Sequence, residues 1–217
     1  MSTRNGIALI AFDCYGTLVR NEADQWLETL HGIALEQVLP LTGEEFWAVW
    51  RKHEIKFRET RTNMQDPASS PPFRTYWEAW RDAFVSTFQD LELEGSPDEA
   101  ASRCVDALGQ REPFADVNGA LRELEGKHRL AVMSNSDDRS LLAAIQRNSW
   151  RFETVTSSEG AKAYKPDPRI FQALSQAAGV PPEAILYVGD SPYDDAHGAK
   201  LVGMQTVLVR RDQRTPG

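Results

Sequence analysis

The chain is poor in cysteine and methionine, has no excess of basic residues and contains no long apolar run. Two cysteines in 217 residues, Cys14 and Cys104, cannot build a disulfide framework and fit a reducing compartment. The run IALIAF near the amino terminus is too short to span a bilayer. The preceding MSTRNG has neither the charged segment nor the small-residue cleavage site of a signal peptide. A net charge of −8 without a basic stretch gives no electrostatic footprint for nucleic acid or an anionic membrane. The 41% of hydrophobic residues, against 26% charged, is enough for a sizeable core and excludes disorder of the whole chain. The expectation is a globular protein of the cytoplasm, one large domain or a core with one insertion.

What is present is an alternation of short apolar runs and helical patterns. Ile7 to Phe12 is continuously apolar and closes on Asp13-Cys14-Tyr15-Gly16-Thr17, as a buried parallel strand does. Arg129 to Met133 runs into Ser134-Asn135-Ser136, and Ala184 to Val188 runs into Gly189-Asp190-Ser191. A further strand is expected over Gln205 to Val209, with helices at Val117–Leu124, Ser140–Gln146, Pro168–Ala178 and Asp195–Val202. This order specifies an α/β fold: a Rossmann-like, doubly wound parallel sheet whose ligands sit at the carboxyl ends of the strands.

Residues 21–111 read differently. Phe73, Tyr76, Trp77, Trp80, Phe84, Phe88 and Leu91 recur at three- and four-residue steps, as on one face of a helix. Further helices are expected from Trp26 to Val38, from Phe46 to Arg61, and from Asp98 after a Ser96-Pro97 start. The expected division is therefore an α/β core over 1–20 and 112–217, with an all-helical cap domain inserted over 21–111. Five of the six tryptophans fall in that insertion, most of them as its core. Exposed aromatics there could also support a homodimer.

The polar residues that could do chemistry follow the strands. Asp13 ends the first strand, where a carboxylate can act as a nucleophile that forms an ester. An Asp in that position is also a common turn or cap residue. Ser134 and Asn135 can hydrogen-bond an anion or simply make a turn. Lys165 precedes a helix announced by Asp167-Pro168. Asp190, Asp194 and Asp195 crowd one loop, so a cation should compensate them, either Lys165 or a hard ion such as Mg²⁺. Asp194 also reads as a helix N-cap.

Taken together, FDCYGTL, MSNS, YKPDPRIF and VGDSPYDD resemble, in order, the four motifs of the haloacid dehalogenase superfamily, over the whole chain. The resemblance implies that Asp13 is the nucleophile and that Thr17, Ser134 and Asn135 serve the site. Ser134 would bind the oxyanion or phosphate, and Lys165 would orient and neutralise Asp13. Asp190 would hold Mg²⁺ with Asp13 and the backbone carbonyl of Tyr15, and Asp195 would support it. Phosphatases of the family carry a general-acid Asp where this chain has Tyr15. A Tyr there resembles the L-2-haloacid dehalogenases, whose halide leaves without a proton. Ala48-Val49-Trp50-Arg51-Lys52 resembles their cap segment, so Tyr15, Trp50 and Arg51 are expected to contact a small anionic substrate. Two departures point the other way: Gly189-Asp190 has the phosphatase form, and Phe171 stands where a Tyr is common. Dehalogenase-like hydrolysis therefore leads, an Mg²⁺-dependent phosphatase acting on a small organic phosphate is the alternative, and a catalytically silent binding protein is the third reading.

Overall fold

The structure is a computed structural model that describes residues 6–211, apart from the side chain of Pro67. A five-stranded sheet organises the α/β part, in the order β3-β2-β1-β4-β5. Its strands are β1 (Leu9–Phe12), β2 (Arg129–Ser134), β3 (Thr154–Ser157), β4 (Ile185–Gly189) and β5 (Gln205–Leu208). Every pairing is parallel. Central strand β1 is buried along its whole length, as expected of a strand covered on both faces. Chain order reverses on either side of β1, and the ladder continues one residue past it, where the Asp13 N–H donates to the Val188 carbonyl at 2.8 Å. Asp13 and Asp190 thus emerge from neighbouring strand ends at the topological switch point, where such sheets bind ligands.

Helices α5 (Val117–Leu124), α8 (Pro168–Ala178) and the short α7 (Ser158–Ala161) and α9 (Gly198–Leu201) accompany this sheet. Ile170, Phe171 and Leu174 of α8 pack with Leu9, Ala11, Met133 and Tyr187 in one buried cluster. Each large side chain withdrawn from water there contributes about 1.5–3 kcal/mol. Helix α8 starts as its sequence announces: the Asp167 carboxylate accepts from the Arg169 N–H at 2.8 Å, with Pro168 in the first turn. It ends on Gly179 in the left-handed conformation.

Four helices form most of a second compact unit: α1 (Ala23–Glu36), α2 (Gly43–Thr60), α3 (Tyr76–Asp90) and α4 (Pro97–Gly109). Thr42 with Glu45 and Thr75 with Glu78 close capping boxes on α2 and α3. The interior is aromatic: Trp50 stacks on Phe84 at 5.4 Å, and Trp80 meets Trp26 edge to face at the same centroid separation.

The chain divides into a first unit up to Arg20, over Glu112–Asn135 and from Ile145 onward, and a second over Asn21–Arg111 and Ser136–Ala144. Residues 136–144, the latter part within helix α6 (Asp138–Arg147), were not expected in the helical unit. Buried Asp137 explains them, because its carboxylate accepts from the backbone N–H groups of Tyr76 at 2.6 Å and Trp77 at 2.8 Å, the orphan donors of α3. No helix among the described residues is long and apolar enough to cross a membrane.

Several element bounds differ from the sequence reading. Strand β3 has no apolar run to announce it, being Thr-Val-Thr-Ser. The segment expected as one helix over Asp195–Val202 begins earlier, as a π-helical turn over Pro192–His197, and becomes α-helical only at Gly198. Its N-cap is Ser191, whose hydroxyl accepts from the Asp194 N–H at 3.0 Å. The expected Asp194 cap is corrected accordingly.

Candidate active site

The carboxyl ends of β1, β2 and β4 bring together side chains from four distant parts of the sequence. Lys165 is 2% exposed, and its ammonium donates to Asp13 Oδ1 and Asp195 Oδ1, both at 2.6 Å. It also donates to the Tyr187 hydroxyl at 3.1 Å. Asn135 fixes the lysine's backbone from both sides: its amide oxygen accepts from the Lys165 N–H at 2.7 Å and its Nδ2 donates to the Lys165 carbonyl at 3.2 Å. Ser134, fully buried, is the last residue of β2. Asp195 is held from its other oxygen by the Ser191 N–H at 2.9 Å.

Asp190 stands beside this cluster and is only partly buried. Thr17 Oγ1 donates to its Oδ1 at 3.1 Å. Gly16 makes room for it. At φ +97° the glycine backbone adopts a conformation that side chains rarely take, and a Cβ there would lie 2.6 Å from Asp190 Oδ2. Gly189 serves Asp195 in the same way, since a Cβ would run into that carboxylate. The glycines in the first and fourth motifs are therefore a consequence of packing carboxylates against backbone.

Three carboxylates and one ammonium share a largely buried space, and this sets their ionisation. Burial pushes the Asp13 carboxyl up to about 7; Lys165 pulls against the rise, while Asp195 and Asp190 add to it. Asp190 is also raised, by burial first and by Asp195 next, with the Thr17 hydrogen bond opposing. Burial disfavours the Lys165 charge, yet Asp13 and Asp195 outweigh it and hold the ammonium well above its usual range. Cys14, adjacent to the nucleophile candidate, is pushed up by burial and by Asp13, so it stays a thiol.

The donor chemistry suits a hard cation. Asp13, Asp190 and Asp195 can each present an oxygen within 4.8 Å of the others, and a single ammonium does not neutralise three ionised carboxylates. The lysine already bonds Asp13 and Asp195, which leaves Asp190 and the second Asp13 oxygen as the better placed ligands.

The segment expected to contact substrate in the helical unit separates into two environments. Trp50, expected to contact substrate, is 1% exposed and packs inside the aromatic core, against Trp26. Arg51 is exposed, with its guanidinium 4.9 Å from the centre of the Trp47 ring, one helical turn before Trp50. Tyr15 is half-buried in the turn after β1. In the sequence Tyr187 is simply part of an apolar strand, and nothing in that pattern marks its hydroxyl as reaching Lys165.

Comparison with known proteins places the chain in a family. A family model described as haloacid dehalogenase-like hydrolase matches residues 7–203. The chain is 30% identical over 207 residues to the (S)-2-haloacid dehalogenase of Pseudomonas sp. (strain YL), covering 93% of this chain and 82% of that one. It is 29% identical over 210 residues to haloacetate dehalogenase H-2 of Moraxella sp. (strain B), covering 94% and 86%. The fold is also that of the L-2-haloacid dehalogenase from Xanthobacter autotrophicus solved with chloropropionic acid covalently bound, at TM-score 0.74 and 24% identity, covering 96% of this chain and 79% of that one. A buried carboxylate at a switch point, held by a lysine from the third motif, and a family match over most of the sequence lead to one conclusion: the chain belongs to the haloacid dehalogenase-like hydrolases.

Proposed function

We propose that this enzyme hydrolyses the carbon–halogen bond of a small 2-halo acid through an ester on Asp13. The observation that carries the reading is the Asp13–Lys165 pair at a strand end with Tyr15, not a second carboxylate, two residues on. A halide leaves as a stable anion, so the missing general acid costs nothing in this reaction. For an alcohol leaving a phosphoester, losing a positioned acid costs about 10²–10⁴ in rate.

Lys165 occupies Asp13 Oδ1 and leaves Oδ2 to attack the α-carbon. The new C–O bond forms as the C–halogen bond breaks, and the halide departs with the bonding electrons. Water then attacks the carbonyl carbon of the ester, releasing the 2-hydroxy acid and restoring Asp13, with one proton passed on. Asp190, partly exposed and raised in pKa, is the carboxylate suited to take that proton. Ser134 donates to the ester oxygen, and Asn135 acts through Lys165. Thr17 orients Asp190, Asp195 anchors the ammonium, and Arg51 binds the substrate carboxylate. Small-molecule chemistry of this kind suits the cytoplasm.

A second reading, an Mg²⁺-dependent phosphatase for a small organic phosphate, is favoured by one observation, the three clustered carboxylates. Asp13, Asp190 and the Tyr15 carbonyl would hold the ion. When bound it would act as a Lewis acid on a phosphoryl oxygen and neutralise Asp190.

The deciding experiment supplies L-2-chloropropionate or p-nitrophenyl phosphate, each with Mg²⁺ or with a chelator. Chloride release that survives the chelator is the expected result, and phosphate release confined to the Mg²⁺ arm overturns it. Binding without turnover in every arm would support a silent binding protein.

A further inference from the structure

We infer that Tyr187 is a positioning residue of the active site: its hydroxyl, reaching across β1, fixes the third proton of the Lys165 ammonium. The inference rests on the reading of Asp13 as nucleophile.

Tyr187 lies in β4 directly opposite Ala11 of β1, and Ala11 in turn lies opposite Ala131 of β2. Residues in one row of a parallel sheet point to the same face, so the phenol ring faces two methyl groups where larger side chains would block it. It crosses the sheet to donate its proton to the Met133 carbonyl of β2 at 2.9 Å. That bond commits the only hydroxyl proton and turns an oxygen lone pair toward Lys165, which donates at 3.1 Å. The edge of Phe171 closes on the same ring, with centroids 5.4 Å apart and planes at 74°, so the ring is wedged in place.

An ammonium carries three protons, and Asp13, Asp195 and Tyr187 each accept from this one. Burial alone would be served by phenylalanine, which fits the same apolar row. The hydroxyl adds a fixed direction. With all three protons directed, Nζ cannot drift toward Asp195, and the Asp13 oxygen it grips stays turned away from the substrate. Because burial holds the phenol well above its usual range, it remains a neutral acceptor at working pH.

The test is Tyr187→Phe in the full-length enzyme, assayed for halide release with thermal unfolding measured alongside. One hydrogen bond to a charged group is lost, so kcat is expected to fall about tenfold or more with KM within about twofold. A purely structural role would lower the unfolding midpoint and leave kcat in place, and that result overturns the inference. A single turnover of wild type in H₂¹⁸O separates this failure from failure of the underlying reading. Label on the Asp13 carboxylate with an unchanged Tyr187→Phe kcat sinks only the role of Tyr187; no label on Asp13 sinks the nucleophile itself.

Discussion

Lys165 Nζ stands 2.6 Å from Asp13 Oδ1 although 152 positions separate them in the chain, and both side chains are almost fully buried. An ion pair this deep has to overcome desolvation of both partners, and on the proposed reading it keeps the Asp13 carboxylate held but reactive.

Asp13→Asn is expected to abolish halide release, measured by an ion-selective electrode. The same variant carries a stability signature. Because Asp13 titrates near 7 when folded and near 3.8 when unfolded, the native state binds the extra proton between those values. Wild-type stability therefore falls relative to the variant as pH rises through that window, so the variant's unfolding midpoint should gain on the wild type's from pH 4 to pH 7. A constant difference would show that the carboxyl is not raised.

Turnover should follow the ionised form of Asp13. With its carboxyl pushed up to about 7, kcat/KM should drop roughly tenfold per pH unit below that value and level off above it. Lys165 stays charged across the whole range, so no alkaline limb should arise from it below about pH 10. A profile flat from pH 5 to 8 would contradict the assignment.

Two neighbours on α2 should separate cleanly. Arg51→Ala is expected to raise the KM for a haloacid at least tenfold with little change in unfolding midpoint, since the guanidinium is exposed over Trp47. Trp50→Ala empties part of an aromatic core and should cost about 3–5 kcal/mol in denaturant titration. If Arg51→Ala leaves KM unchanged, that arginine belongs to a solvated helix face.

Gly16→Ala tests the carboxylate-on-backbone packing. The substitution meets both a positive φ and Asp190 at 2.6 Å, so Asp190 must move. We expect about 1–2 kcal/mol of destabilisation. Turnover should fall more than ground-state binding, read by comparing kcat with the Kd of a product acid.

Much of this was legible in the sequence because strand ends in a doubly wound sheet announce themselves: an apolar run stops and a glycine or carboxylate follows. That is how Asp13, Ser134 and Asp190 stood out, and why Lys165 before Asp167-Pro168 could be placed at a helix start. Strand β3 escaped because a Thr-Val-Thr-Ser edge has no apolar signature. Trp47 and Trp50 share a helix one turn apart, and periodicity alone does not say which ring faces the core. Residues 136–144 group with the helical unit because one buried carboxylate, Asp137, ties them to α3 through contacts 60 and 61 positions away, which no local pattern announces. Tyr187 was hidden for a related reason: in an apolar strand a tyrosine looks like any large side chain until its hydroxyl finds a partner.

The burial of both cysteines has a consequence for an enzyme of this kind. Haloacids are alkylating agents toward thiolates, and a reactive sulfur beside the proposed nucleophile would be consumed by such a substrate. Cys14 follows Asp13 directly, yet neither it nor Cys104 is exposed, and both are held in the protonated, unreactive state. On the proposed reading, the catalyst is thereby protected from self-inactivation by its own reactant.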